Sequence, residues 1–448
     1  MTTPTLRAAD PAAVLGLARE LRELLGPRRA TIEIRAREKA SLDGSAMSPV
    51  ISGQYPLGLA DLVAFPASAD EIAVVVAAAV RHGVPITTRG KGTGNYGQAI
   101  PMYGGLVLDT SKASAIVEVG DGLITAEAGA RMIAMETAAR ATGQQLWMYP
   151  STAQSTVGGF LGGGSGGTGT IVHGSNWMGF VDALDVVHAT PEPTMTHVQG
   201  ADAQPYVHTY GVGGVIARAT VKLEPLQDWR CLYASFDDFH DAFAVLRQLR
   251  ALEPAPRLVS SDPPRIVNAL PDDAAIPKDR ASLRVILDHR TLDEASALIT
   301  AAGGAIHDVR EGPQAPMALS MLSYNHPVWW LMQREPGQWF HIEVAGEELI
   351  DRIDEVHRVL PEAVLHIEAG HTVPIGMLAA KYAFPDQVHE GMAALAELGV
   401  GSHNPHQWFV DRDVETVQAV ARRTDPDGLL NPGKWAEGDA PVESFYAH

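Results

Sequence analysis

The residues whose types and spacing could do chemistry gather first in a glycine-rich run, Pro85-Ile86-Thr87-Thr88-Arg89-Gly90-Lys91-Gly92-Thr93-Gly94-Asn95-Tyr96-Gly97. Consecutive backbone N–H groups in such a turn form a concave nest for an anion, and Thr93 adds a hydroxyl donor. Residues 92–97 match G-x-G-x-x-G, but a dinucleotide turn of the Rossmann type must open a helix. Here Pro101, Gly104 and Gly105 follow and break any helix, so a nicotinamide Rossmann domain is rejected. A second glycine-and-hydroxyl run comprises Pro150-Ser151-Thr152, Thr156-Val157-Gly158-Gly159 and Gly162-Gly163-Gly164-Ser165-Gly166-Gly167-Thr168-Gly169-Thr170. Ten glycines fall within the 22 residues from Gly158 to Gly179. Glycine repeated between apolar runs is not a linker; it marks backbone lying close to something, because no Cβ intervenes. A third fragment, Tyr210-Gly211-Val212-Gly213-Gly214-Val215-Ile216, precedes a strand-like run and would close a pocket.

The elements that must position these runs alternate in the first half. Leu62–Pro66 reads as a strand; Ser68–His82 reads as a helix capped by Ser68 or Asp70 and ended by Gly83. Pro85–Thr88, Gly105–Asp109, Ala115–Val119, Leu123–Ala128, Val181–Ala189 and Gly214–Leu223 read as strands, and Arg131–Thr142 as a helix stopped by Gly143. Thr190–Tyr206 reads as a loop. After Pro225 the strands are Cys231–Ser235, Leu283–Asp288 and Phe340–Val344, and the helices Asp238–Leu252, Leu292–Ala302 and Glu347–Leu360. The prolines at 254, 256, 263, 264, 271 and 277 read as an irregular connection, and Asp425–Trp435 as turns. No internal repeat is visible. The expected fold class is α+β, in two domains: residues 1–225 with a return over 420–448, and a cap over 226–419 holding an antiparallel sheet flanked by helices.

The order of these motifs resembles the FAD-binding domain of the vanillyl-alcohol-oxidase / p-cresol methylhydroxylase (PCMH-type) flavoprotein superfamily. The resemblance rests on Pro66 and the helix after it, Pro85–Gly94, Gly104-Gly105-Leu106-Val107-Leu108-Asp109, Thr156-Val157-Gly158-Gly159 and Gly213-Gly214-Val215-Ile216. Asp425-Pro426-Asp427-Gly428-Leu429-Leu430-Asn431-Pro432-Gly433-Lys434 is similar to that family's C-terminal return to the flavin domain. It covers roughly residues 55–225 and 420–436, and the middle only in outline. It implies an FAD cofactor whose pyrophosphate is wrapped by Arg89, Gly90, Lys91, Gly92, Thr93 and Gly94. Pro150, Ser151, Thr152, Gly158, Gly159, Gly163 and Gly164 would line the ribityl and pyrophosphate side, and Val172, Gly214 and Ile216 the adenine side. Individual glycines among these read equally as packing residues. Thr93 stands where covalent members often carry a His, so non-covalent FAD is expected; attachment through His371, His403 or Tyr382 is the exception left open.

A flavin enzyme needs a group to accept or steer the proton that accompanies the hydride, and histidine suits this near neutral pH. Histidines concentrate in Tyr324–Trp330, His366–His371 and Ser402–Trp408, which proline and glycine place at strand ends or loops. His326 and His371 are the strongest candidates, then His403 and Asn404, with Trp330 and Trp408 as flat walls beside the flavin ring. A metal site with Glu368 or Asp411 is an alternative, but helical H-E-x-x-H spacing is absent and no metal ligand is assigned.

Composition bounds the rest. The 448 residues carry 34 Lys+Arg and 53 Asp+Glu, a net charge of −19 that disfavours nucleic acid and anionic membrane surfaces as partners. The single cysteine, Cys231, rules out an intramolecular disulfide framework. The start reads as an amphipathic helix around Val14–Leu25 and not a signal peptide, no run approaches about 18 apolar residues, and a cytoplasmic location is expected. The expected activity is FAD-dependent oxidation of a small alcohol, hydroxy acid or phenol-like substrate, with oxygen or an electron carrier as acceptor. Assembly into a homo-oligomer is compatible with this. A non-catalytic FAD-binding subunit of a redox complex and a metal-dependent enzyme are the rival readings.

Overall fold

The computed structural model describes residues 9–52, 58–192 and 194–436. Pro193, residues 55–57 of the FAD-domain resemblance and the tail 437–448 of the expected C-terminal return lie outside the described residues.

Three sheets build the chain. The first runs Ala30–Thr31, Leu62–Ala64, Leu106–Asp109, Ile86–Arg89, antiparallel at its first pair and parallel thereafter. Helices Pro11–Leu25 and Ala69–His82 pack on it through Leu17, Leu21, Ile72, Val75 and Val76. Ser68 caps the second of these, its Oγ accepting the Glu71 N–H at 3.2 Å, and Gly83 ends it at φ +62. The second sheet is antiparallel, in the order Ile116–Val119, Leu123–Glu127, Val215–Pro225, Val181–Val187, Met195–Gln199, with Gln144–Leu146 on the end of the long strand. The buried Glu127 carboxylate ties the two sheets, accepting N–H bonds from Ala69 at 2.9 Å and Ala115 at 3.1 Å.

The third sheet has eight antiparallel strands, ordered Ala305–Arg310, Trp229–Phe236, Ala281–Asp288, Leu258–Asp262, Val364–Glu368, Ile375–Lys381, Trp339–Ala345, Gly401–His403. Read along the chain, it consists of two successive β-α-β-β-α-β units, the ferredoxin-like arrangement. They join where Ser260 and Ser261 pair with Glu368 and Ile367. The expectation of no internal repeat is thus corrected at the level of topology: two units repeat the same winding with different side chains.

Other expectations are corrected too. Thr190–Tyr206 is not all loop, since Met195–Gln199 adds an edge strand and Gly200–Tyr206 is 3₁₀ helix. The proline-rich connection contains the buried strand Leu258–Asp262, held between two neighbours despite its flanking prolines. Glu347–Leu360 is broken at Arg352 into Glu348–Asp351 and Ile353–Arg358. Val157–Gly163 is helical although four of its seven residues are glycine. Thr156 caps it, and Val157, Phe160 and Leu161 bury its apolar side, which offsets the poor propensity of glycine.

Arg257 braces the third sheet against the second. Its fully buried guanidinium donates to Leu146 O at 2.5 Å, lies 3.7 Å from the Glu136 carboxylate and faces the rings of Tyr149 and Trp229. Arg257→Met leaves the Leu146 carbonyl and Glu136 short of a partner. It is expected to lower the unfolding free energy by about 2–4 kcal/mol in a denaturant titration.

Candidate functional site

A continuous cavity of about 1140 Å³ lies between the first two sheets and the third. One wall is glycine loop, the other is histidine and carboxylate.

The glycine wall forms because two loops from different sheets meet where glycine leaves room for hydroxyl side chains. A Cβ on Gly90 would run into Thr156 Oγ1, and Thr93 Oγ1 meets Ser155 Oγ at 3.0 Å. Gly92, at φ +64, lies against the Arg89 guanidinium so closely that a side chain there would collide with it. From Lys91 to Gly94 the backbone N–H groups find no acceptor among the described residues. Gly94 would place a Cβ against nothing but Gln98 Oε1, at 3.0 Å, and Gly162 against nothing within 4 Å. Free donors beside open Cα faces are what the phosphates of a dinucleotide require, so this wall fits FAD.

Beneath the first loop a buried bracket fixes it. Lys434 Nζ donates to Gly97 O at 2.7 Å and Ile100 O at 3.1 Å, and Asp43 accepts the Gly97 N–H at 3.0 Å. Burial lowers the Lys434 ammonium to about 7, against the pull of Asp43. Asn431 donates to Gln98 O at 2.9 Å and Tyr210 O at 2.7 Å, joining the first and third fragments.

Most expected cofactor residues line this wall: Gly90, Lys91, Gly92, Thr93, Gly94, Pro150, Ser151, Thr152, Gly158, Gly159, Gly163, Gly164, Gly214 and Ile216. Some of the glycines are packing positions. A Cβ on Gly158 would lie 2.7 Å from that of Ala128, and one on Gly214 would strike Val186. Arg89 also borders the cavity, and its guanidinium donates to the carbonyls of Ala40, Leu42 and Lys91, which shapes the loop. Val172 is a correction: it is 43% exposed and does not line the cavity.

The opposite wall carries His326, His366, His371 and His403. His326 is not on a loop; it lies in the first turn of the helix Asn325–Arg334, following Tyr324, whose φ is +52. Its Nδ1 bonds Ser151 Oγ at 2.9 Å, and burial pushes it down to about 4, so it is neutral at neutral pH. His371 donates from Nδ1 to Ile171 O at 3.0 Å, which leaves Nε2 with its lone pair. His403 differs: Nδ1 meets Glu343 at 2.9 Å and Nε2 meets Asp411 at 2.6 Å. Burial alone would lower it, but hydrogen bonds to Asp411 and Glu343 outweigh that and raise it to about 10. With both nitrogens engaged, His403 cannot take a substrate proton. His366, fully buried mid-strand and not at a strand end, repeats this pattern between Asp262 at 2.8 Å and Glu368 at 3.1 Å. Burial opposes its charge, and the field and hydrogen bonds of the two carboxylates raise it to about 9. Arg284 closes this set on Asp262.

Several expected residues lie elsewhere. Trp330 packs into the core beside Leu331 and Trp339, and its neighbour Trp329 lines the cavity instead. Trp408 packs against Ile51 and Ile100. Asn404 Oδ1 accepts the His406 N–H at 3.0 Å, a turn contact outside the cavity. Tyr382 packs against Phe340 and does not reach the cavity. Sequence reasoning did not single out Glu343, which also lines the cavity, and it quoted Tyr96, Tyr210 and Tyr324 within site segments without giving them a role and Glu368 only for a metal alternative. Glu343 sits in an apolar strand with no local mark, whereas the others lie in or beside the glycine and histidine runs, which was a usable signal. Among the described residues no three His, Cys, Asp or Glu side chains gather as a metal site.

Comparison with known proteins agrees with this geometry. Residues 60–192 match the family model of an FAD binding domain. The chain is 29% identical over 207 residues to an uncharacterized FAD-linked oxidoreductase of Mycobacterium tuberculosis, covering 43% of this chain and 44% of that protein. It thus spans under half the length of that relative. Glycolate oxidase subunit GlcD of Escherichia coli is 24% identical over 417 residues, 83% of each chain, and D-lactate dehydrogenase of Archaeoglobus fulgidus is 27% identical over 192 residues, 40% of this chain and 43% of that one. The structure of an alkyldihydroxyacetonephosphate synthase superposes with a TM-score of 0.73 at 14% identity, covering 96% of this chain and 86% of that one. Residues 60–192 thus match an FAD binding domain, and the whole chain has the fold of an FAD-binding flavoprotein of the kind the sequence motifs resemble. No described helix is long and apolar enough to cross a membrane.

Two outcomes test the site. Gly94→Val puts a branched side chain into the open nest; purified protein should lose its flavin absorbance while its circular dichroism stays that of the parent. Retention of stoichiometric flavin would remove the nest from the cofactor site. His366 and His403 bind protons more tightly folded than unfolded, so the stability they contribute is complete below about pH 6.5 and is lost as pH rises through about 9 and 10. The melting temperature should fall between pH 7 and 10, and His403→Gln should flatten that fall.

Proposed function

We propose that this chain is an FAD-dependent oxidoreductase that removes a hydride from the hydroxyl-bearing carbon of a small organic molecule. The supporting observation is that an unpaired backbone nest and two histidines with an available ring nitrogen border one cavity. FAD, when bound, supplies the two-electron acceptor. The nest from Lys91 to Gly94 holds its phosphates. We read residues 1–225 and 420–448 as the flavin-binding part and 226–419 as the cap, with FAD held non-covalently.

The cap handles the proton. When a hydride leaves an alcohol carbon, the hydroxyl proton must leave as well, and a neutral imidazole is the acceptor this wall offers. His326 suits this role, because Ser151 fixes one ring nitrogen and burial keeps the ring uncharged. His371 is exposed and lines the same cavity, so its Nε2 lone pair can take up a proton that then passes from that nitrogen to solvent. The relatives named for glycolate and D-lactate support hydroxyl-bearing substrates as a class.

Anaerobic mixing with candidate substrates should bleach the oxidised flavin. His326→Gln should slow that bleaching by about 10²–10⁴ fold with flavin content unchanged. A variant that bleaches at the parental rate would exclude His326 as the acceptor. Acid precipitation should release the flavin into the supernatant; flavin that stays with the pellet would point to a covalent link, with His371 and His403 as the cavity-lining candidates.

A further inference from the structure

The cavity, at about 1140 Å³, exceeds the ~300–1,000 Å³ of a typical single-ligand site, so it has room for a second molecule beside the dinucleotide. The charges on its cap wall say what that molecule is not. No Lys or Arg among the described residues of 226–419 lines the cavity. Its two cationic histidines are each enclosed by a pair of carboxylates, Glu343 and Asp411 around His403 and Asp262 and Glu368 around His366. Behind the lining residues Gly346 and Gly399 stands a further acid, Glu348, its Oε2 2.7 Å from where a Gly346 Cβ would be. On the opposite wall, Arg89 is taken up by backbone carbonyls and Lys91 belongs to the phosphate loop. A substrate carboxylate entering here would be desolvated beside a wall whose carboxylates outnumber its cations, with both cationic histidines already paired.

What the wall does offer is apolar. Val344, Val373, Ile375 and Val400 line the cavity together with Glu343 and His403, which are paired across neighbouring strands, and the exposed Ala396 lines it as well. Asp411 Oδ1 is buried and accepts no hydrogen bond among the described residues, an acceptor suited to a neutral O–H.

We propose that the substrate is an uncharged alcohol bearing an apolar chain or ring, with its hydroxyl near Asp411 and His326 and its tail in the corridor between Val373 and Val400. This rests on the redox reading above and narrows it: simple 2-hydroxy carboxylates are rejected by the acids of the cap wall.

The test uses the flavin-loaded protein under anaerobic conditions, with glycolate, D-lactate, primary alcohols from butanol to decanol, benzyl alcohol and the matching primary amines. Bleaching by the alcohols is expected, with kcat/KM rising up to about fourfold per added methylene until the corridor is filled. Ala396→Trp, on an exposed helix face, should raise KM for decanol by about tenfold or more and for butanol by under about threefold. Bleaching led by glycolate, D-lactate or the amines, or no chain-length dependence, would overturn the proposal while leaving the redox reading intact. Flavin that dithionite bleaches but no member of the panel does would overturn both.

Discussion

The structure depends on bringing two polypeptide loops from two different sheets into contact where a glycine on one leaves room for the hydroxyl side chains of the other. Gly90 lies on Thr156, and Thr93 reaches Ser155. That contact leaves the N–H groups of the first loop unpaired at a protein surface facing inward, which ordinary folds avoid. It persists because the surroundings over-determine it. Arg89 clamps the loop's start to Ala40 and Leu42, and Lys434 and Asp43 clamp its end through Gly97. Asn431 then fastens it to the third fragment, so a segment more than 300 residues away in sequence becomes part of the cofactor wall. A cofactor that supplies acceptors to those N–H groups completes the hydrogen bonding that the chain leaves open.

The cap solves a different problem, that of holding charge in a dry place. Each of its two cationic histidines is satisfied at both ring nitrogens, so neither is an isolated buried cation. The cost is flexibility of role. His403 looks like a catalytic base by residue type and by position, yet its partners hold its proton. His326, with one hydroxyl partner and an apolar setting, stays uncharged. The same residue type therefore serves as anchor or as acceptor according to what stands within 3 Å of it.

This explains what could be read from the sequence. The flavin wall was legible because its chemistry is backbone chemistry, and glycine is the one residue whose backbone role shows in its letter. Strands flanked by clear turns, such as Leu106–Asp109 and Val215–Pro225, were legible for the same reason. The cap was legible only in outline. Leu258–Asp262 hid between prolines because its partners, not its propensity, make it a strand. Trp330 and Trp329 are neighbours in a helix, and which of them faces the cavity depends on how that helix is rolled against Trp339 and Met377. No local pattern carries that information, nor the pairing of His403 with Glu343 sixty residues away.

The repeated winding of the cap has a consequence of its own. None of the residues from Trp229 to Arg310, which make up the first β-α-β-β-α-β unit, borders the cavity; the second unit, from Trp339 to His403, supplies most of the cap wall. Two copies of one architecture have thus parted ways, one as buttress and one as workbench. The buttress reaches the chemistry through Asp262, which crosses the seam to His366, and through Arg250, at the end of its first helix, which donates to the His371 carbonyl. Its other outer helix, Leu292–Ala301, is consequently free to drift, lengthen or acquire a binding partner over evolutionary time without disturbing the reaction chamber, whereas comparable change in its twin would reshape what the chamber admits.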